Sequence, residues 1–311
     1  MSLISSRRAF LCGVAAAVAS VGCGGKTEEH APGASTQGAG ANGAGANGAG
    51  AKGAARVVSL SPSTTETMFA IEAGGMLVGR SRFCDFPAEA KGIPAVGGFS
   101  DPNVEAILAL APSLVIGARG PAGPALAEKL TAHGIATYFP ETESFAQILE
   151  MVSGLGERLD RGAAARAVRE RIEGAAKQVE AAVKARPAPS AVMLFDTGPI
   201  VVAGPGGFPD EMMRLAHAKN LIVAGGAYPT IGMEHLVALD PEILLDGASA
   251  GIDVPSAVAG KREAPGWSSL RAFGSGRVHA LSSAVLRPGP RIGEGLKELA
   301  RAVHGESILP R

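Results

Sequence analysis

Two stretches of the chain carry nearly the same wording: NVEAILALAPSLVI at residues 103–116 and GMEHLVALDPEILL at residues 232–245. Each has a Glu in third place, apolar residues at helical spacing, then Ala-Leu-x-Pro, then an apolar run of β type. A short helix stopped by proline and followed by a strand is an α/β building unit. A chain that repeats it in each half is constrained toward two lobes of one plan. Glu105 and Glu234 stand at matching places in the two copies. A Glu in a first helical turn is favoured by the helix dipole alone, so one such residue implies nothing further, whereas a matched pair asks for a reason.

The flanking sequence fits this plan. RVVSL reads as a strand, Ser63-Thr64-Thr65-Glu66 as a capping box opening a helix, and LVGRS as a second strand. A Pro/Gly-rich loop follows, and Asp101-Pro102 suits the start of the helix in the first copy. A further helix over residues 125–133 precedes the strand IATYF. Residues 157–184 then form one long helical pattern, with Val168, Ile172, Ala175, Val179 and Ala182 on one face, ended by Arg186-Pro187. In the second half AVMLF is a strand, PDEMMRLAHA a helix, NLIVAG a connection, and EILLDG and VHALSS strands, with a closing helix within residues 288–304. The expected fold class is α/β: two Rossmann-like lobes with mostly parallel sheets, residues 56–156 and 187–311, joined by one long spine helix, residues 157–186.

The first 55 residues belong to neither lobe. Ser6-Arg7-Arg8-Ala9-Phe10-Leu11 is a twin-arginine export pattern, and the apolar run at residues 14–21 is too short to span a bilayer permanently. It ends in Ser20-Val21-Gly22-Cys23, small residues before a cysteine, so residues 1–22 read as a lipoprotein signal and Cys23 as the lipidated residue. The alternative is an ordinary signal cleaved near Ala19. Residues 23–55 are nearly all Gly, Ala and Asn, which cannot bury enough apolar surface to fold. They read as a tether with a span of about 30 Å, holding an exported domain near a membrane.

Composition narrows the function. The formal net charge is zero, which gives no reason to expect a nucleic-acid partner. Of three cysteines, Cys12 and Cys23 precede the folded part, so Cys84 has no partner for a disulfide. There is no GxSxG elbow and no HExxH, and the six His fall in no metal-ligand spacing. GARGPAG follows a strand but lacks the Lys and Ser/Thr of a phosphate loop. Aromatics are few, ten Phe, two Tyr and one Trp. Yet Phe83, Phe86 and Phe99 fall in loops of the first lobe, and Phe195, Phe208 and Tyr228 in or near loops of the second. Rings gathered in loops between lobes suggest a large, flat, apolar ligand.

Taken together, VVSLSPSTTETMFAI, SRFCDFPAEAKGIPAVGGF, DPNVEAILALAPSLVIG and RPGPRIGEGLKELA resemble the substrate-binding proteins of ABC importers for iron complexes and cobalamin, most closely the cobalamin-binding branch. The resemblance runs from about Arg56 to the C-terminus. It implies an extracytoplasmic, lipid-anchored receptor that is not an enzyme, needs no resident cofactor and delivers a metal chelate to a permease dimer. In that family each lobe docks a surface Glu on permease arginines, and Glu105 and Glu234 stand at those places. The resemblance also implies ligand contacts from Phe83, Phe99, Tyr228 and Arg287, with Arg119 and Phe195 as further candidates. Trp is expected where Phe99 and Tyr228 stand, so a ferric siderophore or haem remains open beside cobalamin. A stiff spine implies small opening motions. A reading of another class is a metal-centre lipoprotein enzyme on the same frame, which would show converging metal ligands or acid/base residues. A third, an interaction scaffold, would show a cleft too small or too polar for a ligand.

Overall fold

The computed structural model describes residues 55–119, 123–248 and 256–309. The expected signal, Cys23 and nearly all of the tether lie outside the described residues. The first half builds β1 (Val57–Ser59), α1 (Pro62–Ala70), β2 (Leu77–Arg80), α2 (Val104–Ala109), β3 (Leu114–Ile116), α3 (Gly123–Ala132), β4 (Ala136–Tyr138) and α4 (Phe145–Arg158). Its strands run parallel in the order β2-β1-β3-β4. Val57, Val58, Val115 and Ile116 are wholly buried, the continuous apolar wording that a sheet covered on both faces requires.

The spine α5 (Gly162–Val183) follows. The second half adds β5 (Ser190–Thr197), β6 (Ile200–Val202), α6 (Phe208–Leu215), β7 (Lys219–Asn220), β8 (Thr230–Ile231), α7 (Met233–Leu239), β9 (Ile243–Asp246), α8 (Arg271–Gly274), β10 (Val278–Ala280), α9 (Ser283–Leu286) and α10 (Ile292–His304). Strands β10, β9 and β5 are parallel, β7 adds to β5 in parallel, and β6 and β8 continue the sheet antiparallel. Mostly parallel sheets in two α/β lobes agree with expectation. The antiparallel pair β6–β8 does not appear in the sequence reading, because strands this short show no alternation.

The helical pattern from residue 157 is two helices. α4 ends at Arg158, Asp160 takes a left-handed φ of 54°, and α5 begins at Gly162. α4 is missing from the sequence reading, although its signal is present. Ser144 Oγ accepts from the Gln147 N–H at 3.2 Å, and Gln147 Oε1 accepts from the Glu143 N–H at 2.9 Å. That is capping wording ahead of the buried series Ile148, Met151, Val152 and Leu155. One core runs through both lobes: Val168, Ile172, Val179 and Val183 of α5 share a cluster with Met68 and Met151 on one side and Met193, Leu245 and Leu296 on the other. Peeling either lobe from α5 would expose such side chains at about 1.5–3 kcal/mol each. Wide opening is therefore opposed by the core itself.

The repeated wording folds into the same object twice, α2 with β3 and α7 with β9. Ile107 and Leu236 are the fully buried anchors of the two helices. Ala111 and Asp240, each before the proline, take left-handed φ values of 42° and 38°; a following proline disfavours the right-handed helical region. The residue after the proline secures the start of the lobe's central strand. Ser113 Oγ accepts from the Arg56 N–H, and Glu242 Oε1 from the Ser190 N–H, both at 3.1 Å. An arginine closes each helix end: Arg56 donates to Leu110 O and Arg271 to Asp240 O, both at 2.7 Å.

Candidate functional site

Open α/β sheets present ligands to the loops beyond the carboxyl ends of their strands. In the first lobe, residues 81–87 follow β2 in this way. The Arg82 N–H donates to Gly97 O at 2.8 Å, and the Arg82 guanidinium is bidentate to Asp101 at 2.9 Å on each branch. Segment 97–102 is thereby strapped to segment 81–87. The Gly98 N–H donates to Asp101 O at 3.3 Å, which leaves Phe99 and Ser100 at the tip of a tight turn. Gly97, at φ 102°, starts that turn where a Cβ would meet backbone atoms. Phe83 is half-exposed under the Arg82 guanidinium, 4.8 Å from its ring centre, and Phe99 is partly buried. These two expected ligand rings therefore sit on adjoining loops.

In the second lobe, Phe195 lies within β5 rather than in a loop, and its ring meets Tyr228 edge-on at 5.4 Å and 67°. Tyr228 is half-exposed, and its hydroxyl donates to Glu143 Oε2 of the first lobe at 3.4 Å. Burial first, then the Glu143 charge, pushes its phenol well above the usual range. Phe208, grouped with the loop rings in the sequence reading, is a core residue only 2 % exposed. It opens α6, whose first turn packs inward.

The arginines of these loops are already matched by carboxylates. Arg82 pairs with Asp101, and Arg119 with Glu141 at 2.9 Å. Arg287 reaches Asp85 at 2.6 Å and Glu66 at 3.1 Å, both through Nη1. Burial raises the Asp85 carboxyl, but the Arg287 hydrogen bond and charge more than offset this and hold it below the usual range. Glu66 is not part of a capping box. The cap of α1 is Ser61, whose Oγ accepts from the Thr64 N–H at 3.4 Å. The Glu66 side chain, 1 % exposed, instead accepts from Arg291 Nε and Nη2, each at 2.8 Å, besides Arg287. Arg291 also covers the Phe86 ring at 4.0 Å. This buried triad joins α1 of the first lobe to the α9–α10 corner of the second.

Glu105 and Glu234 are exposed, each in the first turn of its helix. Asn103 caps α2 by accepting from the Ala106 N–H at 3.0 Å, while Gly232 opens α7. Among the described residues, no three His, Cys, Asp or Glu side chains stand close enough to hold a metal ion. Cys84 is buried and free.

Comparison with known proteins places the fold. A family model described as periplasmic binding protein matches residues 57–285. The chain is 29 % identical over 261 residues to the vitamin B12-binding protein of Vibrio parahaemolyticus serotype O3:K6, covering 81 % of this chain and 90 % of that one. It is 27 % identical to the uncharacterized ABC transporter substrate-binding lipoprotein YvrC of Bacillus subtilis strain 168, covering 81 % of both. Among solved structures, the apo form of the periplasmic heme-binding protein RhuT from Roseiflexus sp. RS-1 superposes with a TM-score of 0.71 at 25 % identity, covering 83 % of this chain and 100 % of that one.

Proposed function

The chain belongs to the periplasmic binding protein family, and on that premise we propose that its interlobe cleft captures a corrinoid, cobalamin above all, for delivery to an ABC importer. Members of the family are extracytoplasmic substrate-binding components of ABC transporters, and they are not enzymes. The observation that carries the corrinoid reading is the internal pairing of three strand-end arginines. Among the described residues, Arg82, Arg119 and Arg287 are each matched by a carboxylate, and residues 120–122 and 249–255 contain no Lys or Arg. A dianionic haem or a polyanionic ferric siderophore wants unmatched cations. A corrin carries mostly amide groups at its edge and suits exposed rings beside arginines whose charge a carboxylate already matches. The relatives named for vitamin B12 support the same choice. The resemblance to a heme-binding structure keeps haem as the second reading, with Tyr228 as its candidate axial oxygen donor; the Glu143 carboxylate beside that hydroxyl opposes it.

On this reading Phe83, Phe99, Tyr228 and Phe195 supply ring contacts, and Arg287 and Arg119 donate to ligand carbonyl groups. Glu105 and Glu234 dock on arginines of the two permease subunits, and Cys23 carries the lipid that keeps the receptor at the membrane. Phe83→Ala and Tyr228→Ala should each weaken cyanocobalamin binding by about 10- to 100-fold, the loss of one large ring contact. Raising ionic strength should change the wild-type affinity little, because no net ligand charge is being matched. Equilibrium titration followed by cobalamin absorbance reads both. Affinities untouched by both substitutions would remove these rings from the site.

A further inference from the structure

Two helices begin with a first N–H that their own lobe does not satisfy, and each takes a partner from the other lobe. α6 opens at Gly207, which has no side chain to cap with. Its first N–H, on Phe208, donates to Glu143 Oε2 at 3.3 Å, and Glu143 lies in the loop between β4 and α4 of the first lobe. The first N–H of α4, on Phe145, donates at 2.6 Å to Oε2 of Glu211, which stands in the first turn of α6. Helix starts leave N–H groups unpaired and carry partial positive charge, so each carboxylate sits where the opposite helix attracts it. The same Glu143 oxygen accepts from the Tyr228 hydroxyl at 3.4 Å.

We propose that Glu143 and Glu211 form a reciprocal clasp across the lobes that fixes the width of the cleft, and that Glu143 is the positioning residue for the Tyr228 ring. The clasp is built from groups of this chain alone. Its effect on binding rests on the cleft being the ligand site. The geometry separates it from the Glu66 triad, which joins other elements of the two lobes. Three contacts between the lobes converge on two carboxylates, so loss of either side chain loosens the same joint. Ring orientation follows: with its edge on Phe195 and its hydroxyl on Glu143, Tyr228 is held at both ends.

Amide hydrogen exchange on the ligand-free chain tests the clasp directly. First-turn N–H groups ordinarily exchange close to the solvent rate. Those of Phe145 and Phe208 should be slowed by about tenfold or more, the protection of one hydrogen bond in a stable joint. Glu143→Ala should abolish protection at Phe208 and reduce it at Phe145, and Glu211→Ala should do the converse. Glu143→Gln, which keeps an acceptor oxygen, should retain most of it. With cyanocobalamin as probe, Glu143→Ala should weaken binding about tenfold through faster release, and that factor should fall toward one in a Tyr228→Phe background. Unprotected Phe145 and Phe208 amides in the unmodified chain would overturn the clasp. Fully additive effects of Glu143→Ala and Tyr228→Phe would overturn the positioning role. A chain that bound no cobalamin would fail the functional reading alone, because the exchange measurement needs no ligand.

Discussion

Replacing Glu66 by Ala is expected to lower stability by about 3–5 kcal/mol, the loss seen when one partner of a buried ion pair is removed. The Glu66 side chain is 1 % exposed, and Arg287 and Arg291 are 20 % and 18 % exposed. Without the carboxylate, Arg287 retains Asp85 at 2.6 Å. Among the described residues, Arg291 retains the Ser283 Oγ at 3.1 Å and the face of Phe86, so a partly buried guanidinium loses its counter-charge. Asp85→Asn should cost less, because Asp85 is 39 % exposed and Arg287 keeps Glu66. The double change Glu66→Ala/Arg291→Ala should be milder than the sum of its parts, since it removes the orphaned charge as well. Denaturant unfolding measures all of these. A Glu66→Ala loss below about 1 kcal/mol would mean that water reaches the triad and that it does not weld the lobes.

The second large effect concerns transport rather than stability. Glu105→Ala/Glu234→Ala should leave ligand affinity and unfolding unchanged while reducing delivery by a reconstituted importer about tenfold or more, as expected when two charge-assisted contacts are lost from a docking surface. Both side chains are exposed. Each stands in the first turn of a helix whose buried anchor, left-handed stop and strand attachment are duplicated in the other lobe. Receptor and permease pair would then share an approximate two-fold relation, and each single substitution should give a partial loss. Normal delivery by the double variant would assign both residues to the helix dipole alone.

The duplicated plan was legible because its signals are local. Proline stops, apolar runs and the spacing of Ile107 or Leu236 behind a Glu are written within a dozen or so residues, the reach of secondary-structure patterns. The buried parallel strands were equally plain, since burial on both faces keeps Val57, Val58, Leu114, Val115, Ile116, Ile243, Leu244 and Leu245 in apolar runs, whereas β7, two polar residues long, read as a connection. The start of α4 is also written locally, in Ser144 and Gln147. The partners of the site arginines were a different matter. Glu66 meets Arg287 and Arg291 across 221 and 225 positions of sequence, and Asp85 meets Arg287 across 202. No local pattern encodes such pairings, so Arg287 read as a ligand contact and Glu66 as part of a capping box. The link from Glu143 to Tyr228 and Phe208 was hidden for the same reason. Of the rings grouped in or near loops, Phe208 is a core residue opening α6 and Phe195 lies within β5.

Calorimetric titration of the purified chain with cyanocobalamin, run beside haem and a ferric siderophore, tests the central claim most directly. A cleft whose arginines are neutralised from within should bind cobalamin tightly, one to one, and bind the two anionic chelates weakly. Tight haem or siderophore binding with no cobalamin response would contradict the corrinoid reading.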